Sequence, residues 1–177
     1  MAWTEIKKGL QELPNEKLID LLKSPQNIAW LTVQTLPVSQ NIDYLESCRG
    51  KIIRAVYNPK HKFPGRARFQ DAKKVITEHK KATKDLRGTL DLMLTYVENG
   101  HAFTNDFGDI DEPFYNTLFN MFERFVVELK MSPARRELLY GLFRDRLMKM
   151  RASSAIGWGY GDEIQWNVDE LEETLNV

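Results

Sequence analysis

Apolar positions recur with a helical period along almost the whole chain. Ile6, Leu10 and Leu13 step by four and three, Pro14 interrupts, and Leu18, Leu21 and Leu22 resume the stripe. Ser24-Pro25 pairs a capping serine with a proline suited to a first helical turn. It leads into Ile28, Leu31 and Leu36, with Pro37 near the stop. Ser39 is placed to cap a longer helix carrying Ile42, Leu45, Ile52 and Val56, and Cys48 shares that face, which predicts a buried thiol. Residues 58–68, with Pro59, Pro64 and Gly65, break the period. Beyond them Phe69, Ala72, Ile76 and His79 form one stripe, and Leu90, Met93, Leu94 and Val97 form another. Asn99-Gly100 reads as a C-terminal stop for that second helix. Residues 113–130 place Phe114, Leu118, Met121, Phe122, Phe125 and Leu129 on one face, widened by Tyr115, Phe119 and Val126, and so predict the central helix.

Ser132-Pro133 repeats the cap-and-proline start before Leu139, Leu142, Phe143, Leu147 and Met150. A glycine-rich turn follows at Gly157-Trp158-Gly159-Tyr160-Gly161. A last short helix is predicted from Asn167 as cap and Glu170 three residues on, with Ile164, Val168, Leu171 and Leu175 as its stripe. The pattern predicts an all-α fold of about eight helices, mostly antiparallel because the connections are short. One domain over 1–177 is expected, because the first 57 residues are few for an independent core; the 58–68 break allows a subdivision into 1–57 and 69–177.

Composition narrows the class. One cysteine excludes an intramolecular disulfide and zinc sites built on cysteine pairs. No run approaches the ~18 apolar residues of a membrane span, and Met1 to Lys8 lacks the apolar core of a secretory leader, so a cytoplasmic location without membrane contact is expected.

The 25 basic and 25 acidic residues cancel to a net charge of zero, but they are blocked rather than mixed. The net charge is −1 over 1–50, +9 over 51–90, −7 over 91–129, +5 over 130–151 and −6 over 152–177. Lys73, Lys80 and Lys84 lie in the +9 block, on the solvent side of the Phe69/Ile76 stripe. With the loop arginines they outline a phosphate-tracking surface, or a helix face that pairs with the acidic blocks of the same chain. The large acidic blocks disfavour nucleic acid. Opposite blocks also suit docking of a protein partner or self-association.

Two segments stand out chemically. Asp106, Asp109, Asp111 and Glu112 crowd seven positions, a density that a cation or a helix N-terminus must offset. Asp111 is placed to cap the helix near Pro113, Glu112 suits its first turn, and Gly108 suits a positive φ. His101 stands at the start of this acidic stretch, where carboxylates would raise its pKa. His101, Asp106, Asp109 and Asp111 are therefore the candidate ligands for a divalent cation, the one cofactor suggested, or an acid–base site. The spacing does not match an EF-hand. In the second segment, Trp158 and Tyr160 read either as anchors for the C-terminal helix or as exposed aromatics of a binding surface. The glycine spacing fits neither a dinucleotide fold nor a P-loop, and no residue set demands catalysis.

Tyr96 to Gly100, Phe103-Thr104-Asn105 and Phe107 to Asn116, together with Gly157-Trp158-Gly159, resemble an uncharacterised bacterial family of small all-helical proteins, a domain of unknown function. Ile6 to Leu22 resembles that family's opening hairpin. The resemblance implies a bacterial cytoplasmic protein and no particular activity, cofactor or partner. The sequence thus points to a non-enzymatic helical interaction or adaptor protein. A metal-binding or hydrolase-like site at 106–112 and nucleic-acid binding through 60–84 are the alternatives.

Overall fold

The computed structural model describes residues 14–17, 42–57, 67–131, 136–153 and 157–175. Chain contacts divide the molecule into two compact units, Met1–Val38 and Ser39–Val177. In the first, residues 15–17 are helical; the stripes and caps predicted over the rest of 1–38, and those at Ser39 and Ser132-Pro133, lie outside the described residues.

The second unit is all-α. Its described helices are α1 (Ile42–Val56), α2 (Phe69–Thr83), α3 (Leu86–Phe107), α4 (Glu112–Lys130), α5 (Arg136–Ala152) and α6 (Tyr160–Leu175). Helix α1 packs on α2 and α3, α4 packs on α3 and α6, and α5 packs on α6 with lighter contacts to α3 and α4. The predicted stripes form the buried faces, except at Leu142 of α5, which is exposed. Cys48, Ile52 and Val56 of α1, Ala72, Ile76 and His79 of α2, and Leu118, Phe122, Phe125 and Leu129 of α4 are all buried.

The centre of the unit is α3 rather than the 113–130 helix. Every residue from Gly88 to Val97 is buried, because neighbours cover α3 on all sides. A helix enclosed in this way must satisfy its own polar groups. Thr89, Thr95 and Thr104 do so by donating to the carbonyls of Asp85, Asp91 and His101, at 2.7, 2.8 and 2.9 Å. Asp91 and Glu98 need cations, and two neighbouring helices supply them. From α5, Arg146 donates to Asp91 at 2.6 Å and grips Glu98 through Nε at 2.8 Å and Nη2 at 2.5 Å, with Thr95 Oγ1 at 3.1 Å. From α1, Arg49 takes the other Asp91 oxygen through Nη2 at 2.5 Å and Nε at 3.1 Å. Burial works against the charge on both guanidiniums, but the carboxylates outweigh it and the pKa of each rises.

Two predicted helix boundaries are corrected. Asn99-Gly100 does not end α3, which runs on to Phe107. Asn99 instead folds its amide back onto the Thr95 carbonyl at 2.7 Å. Gly100 is buried where α4 crosses, and a β-carbon there would stand 2.2 Å from Leu118 Cδ2. The glycine is a contact point between helices, and a stop signal and a packing signal look the same in sequence. Likewise Asn167 does not cap the last helix. It is a buried interior residue of α6 bonded to the Glu163 carbonyl at 2.8 Å, and the helix begins a full two turns earlier at Tyr160.

Gly100→Ala is expected to lower stability by about 1–3 kcal/mol through overpacking against Leu118. Gly141→Ala, on an exposed stretch of α5 with nothing within 4 Å of the added atom, is expected to raise it by up to ~1 kcal/mol. Urea denaturation of the two variants checks the contrast; equal effects would show that Gly100 carries no packing constraint.

Candidate functional site

The acidic stretch is shorter as a loop than its sequence implies. Asp106 lies in the last turn of α3, and only 108–111 connect α3 to α4. Gly108 holds φ +85 and ends α3. Asp111 caps α4, accepting from the Phe114 amide at 2.9 Å, and Glu112 occupies the first turn, where the helix dipole favours an anion.

The four predicted ligands do not meet. Asp106 accepts from the Tyr57 hydroxyl, Asp109 accepts from the Tyr115 hydroxyl at 2.8 Å, Asp111 is the cap, and His101 turns toward Ser153. Among the described residues no group of three or more His, Cys, Asp or Glu side chains is arranged to hold a metal ion.

The tertiary fold brings the two unusual segments together instead. Asp109 lies so close over Gly157 that a β-carbon there would stand 2.6 Å from its Oδ1. Tyr160 packs its ring between His101 and Tyr115, at centroid distances of 5.9 and 5.5 Å. Burial and the Asp109 contact push the Tyr115 hydroxyl up to about 12, and burial also raises Tyr160. This joint fastens the start of α6 to the α3–α4 turn. Tyr160, 2% exposed, is the predicted anchor; Trp158, 61% exposed, is not.

His101 departs from expectation in sign. Burial lowers its pKa, outweighing the Ser153 carbonyl and Glu98, which raise it. Its Nε2 stands 2.8 Å from Ser153 Oγ, a distance that resembles a serine–histidine dyad. The surrounding hydrogen bonds favour a structural role for this pair. Nε2 also faces the Ser153 carbonyl at 3.1 Å, which can only accept, so that bond forms in the tautomer with the proton on Nε2. Ser153 Oγ spends its own proton on the Lys149 carbonyl at 2.9 Å. A protonated Nε2 cannot act as base toward that hydroxyl.

A cleft of about 670 Å³ opens beside this joint, floored by Phe69, Phe103 and Phe114. Its charged rim is engaged: Arg68 pairs with Asp71 at 3.6 Å, and Asp111 serves as the cap.

The charge blocks separate into paired and unpaired sets. Four cations of the 130–151 block are neutralised across helix contacts: Lys130 with Glu170 at 2.7 Å, Arg144 with Glu172 at 3.1 Å, Arg151 with Asp169 at 2.7 Å, and Arg146 as above; Lys149 is exposed and makes no ion pair among the described residues. The 51–90 block sends a single described cation across to another helix, Lys80 to Glu128. Lys74 reaches only Glu78 on its own helix, at 3.9 Å. Lys51, Arg54, Lys73, Lys81, Lys84 and Arg87 make no ion pair among the described residues, and all but the half-buried Lys73 are exposed. Of the predicted partner-binding lysines, Lys80 is therefore internally paired, whereas Lys73 and Lys84 are available. Lys84 holds φ 53 at the C-terminus of α2.

Comparison with protein-family models, with curated proteins and with solved structures found no match to this chain.

The described fold also holds His79 fully buried and stacked on Tyr44 at 5.7 Å, with neither ring nitrogen bonded. Burial lowers its pKa, against Asp85 and Asp91. Both buried histidines are thus neutral when folded, and the unfolded chain takes up protons more readily. Their contribution to stability is fully present above the ordinary histidine value of about 6.5 and is lost as pH falls below it. The urea midpoint is expected to drop between about pH 7 and pH 5.5, and to drop less in the double variant His79→Phe, His101→Gln. An identical drop in the double variant would assign the acid sensitivity to other groups.

Proposed function

We propose that the chain is a non-enzymatic helical interaction protein that receives an acidic protein segment on the basic strip of α2 and the start of α3. One observation carries this reading. Lys130, Arg144, Arg146 and Arg151 of the 130–151 block are paired inside the fold, while Lys81, Lys84 and Arg87 stay exposed and without a partner among the described residues. Lys74 and Lys81 share one face of α2 at i and i+7, and Lys84 follows just past the helix end. Such a strip steers an oppositely charged partner and sets its register. Cys48, a lone buried thiol, suits a reducing cytoplasmic setting.

A protein segment is favoured over nucleic acid for two reasons. Asp71 and Glu78 interrupt the same helix with negative charge. Phe69 is engaged with Tyr96 and Phe114 at 5.3 and 5.0 Å, which removes it as a stacking platform for bases. A metal-dependent or hydrolytic role draws no support from His101, Asp106, Asp109 and Asp111, each of which has a separate structural partner.

Fluorescence anisotropy with an oligo-glutamate peptide and a single-stranded oligonucleotide of equal charge tests the reading. The peptide is expected to bind, and to weaken as salt shortens the range of exposed charges. Lys81→Glu, Lys84→Glu, Arg87→Glu together are expected to reduce affinity about tenfold or more. Unchanged affinity in that variant would remove the strip from the interface. Binding of the oligonucleotide more than about tenfold tighter than the peptide would give the nucleic-acid reading in its place.

A further inference from the structure

The start of α6 carries the opposite kind of surface. Trp158 and Trp166 are 61% and 63% exposed, the two large aromatics left open to solvent among the described residues apart from Phe107. Between them in sequence stand Asp162 and Glu163, both exposed and neither paired with a cation among the described residues. Gly159, Asp162, Glu163 and Trp166 line one shallow concavity. Of the carboxylates farther along α6, Asp169, Glu170 and Glu172 are held by Arg151, Lys130 and Arg144, and Glu173 is exposed. Two free carboxylates of this helix therefore stand at its first turns, beside the Trp166 indole. An indole face next to carboxylates attracts a lysine or arginine head group by two routes, cation–π contact and ion pairing. Trp158 is held at φ +59, a conformation that side chains with a β-carbon seldom adopt, and its ring remains outside the core.

We propose that this acidic indole face docks the basic strip of a second copy of the chain, so that Lys81, Lys84 and Arg87 of one molecule meet Asp162, Glu163 and Trp166 of the next. The occupant follows from charge complementarity on the molecule itself. The cations at Lys81, Lys84 and Arg87 and the carboxylates beside Trp166 are exposed, unpaired among the described residues and opposite in charge, and they lie on different elements. The chain's net charge of zero removes the long-range repulsion that keeps like molecules apart. Because the two faces differ, the contact is head-to-tail. The inference rests on the strip being a docking edge, as proposed above, and names its occupant.

Sedimentation velocity on the full chain, across a concentration series in about 0.01 M and about 1 M salt, provides the test. Assemblies larger than 20.6 kDa are expected at low salt and a monomer at high salt. Two variants are each expected to be monomeric at low salt: Lys81→Glu, Lys84→Glu, Arg87→Glu, and Asp162→Asn, Glu163→Gln. Mixing them is expected to restore association as a one-to-one pair, because each retains the face the other has lost. Trp166→Ala, which removes an exposed ring, is expected to weaken association with an unchanged melting temperature. A wild-type chain that stays monomeric at low salt overturns the proposal, as does an assembly that persists in both charge variants or a mixture that remains monomeric. Oligo-glutamate binding is measured on the same samples. A monomeric wild type that binds the peptide rejects self-docking and leaves the strip's function standing; loss of peptide binding as well rejects both.

Discussion

The interaction on which the rest of the unit depends is the grip of Arg146 and Arg49 on Asp91 and Glu98 of α3. Helix α3 is enclosed by its neighbours, and carboxylates on an enclosed helix are costly unless cations reach them. Arg146 comes from α5 and Arg49 from α1, so satisfying the charge fixes two outer helices against the central one. Removing Arg146 would leave Glu98 without a cation and Asp91 with Arg49 alone, a penalty larger than what such a pair adds over a well-packed apolar substitute. The network therefore acts chiefly on specificity: it allows one placement of α5 and α1 about α3. Gly100 adds a steric constraint of the same kind, since the approach of α4 leaves no room for a β-carbon.

The same accounting explains which surfaces are free. Charges drawn into the inter-helix network and the α4–α6 and α5–α6 pairs are no longer available to a partner. The charges left over include an exposed strip of lysine and arginine at the end of α2 and the start of α3, and a pair of carboxylates beside Trp166 on α6. The two conspicuous segments of the sequence have a different role. The acidic turn and the glycine-rich turn meet at Asp109 and Gly157, with the tilted rings of Tyr160, Tyr115 and His101 packed beside them, and this joint orients α6. It thereby sets where Trp158 and Trp166 face solvent, which links a structural latch to a surface suited to recognition.

Much of the fold was legible in the sequence. The stripes through α1, α2 and α4 are the buried faces, Cys48 is buried, Asp111 caps α4, and Gly108 takes a positive φ, because each of these depends on residues within a turn or two of one another. The misread positions are those where a local signal has two meanings. Asn99-Gly100 looks like a stop and is a crossing point. Asn167 looks like a cap and is a buried side chain bonded one turn back. His101 was expected to gain positive charge from nearby carboxylates, but it faces Ser153 across the fold and is held neutral by burial.

Periodicity and local chemistry alone determined that the chain is helical, which face of each helix turns inward, and that its zero net charge is a cancellation of large blocks. Those properties follow from spacing along one element and need no knowledge of its neighbours. Only the tertiary structure decided which helix is central, that the four candidate ligands go to four separate partners, and which charges neutralise one another. Ion pairing and burial are set by distances between residues far apart in the chain. Lys80 and Lys84, four positions apart on one run of lysines, differ in the end only because Glu128 of another helix lies beside the first.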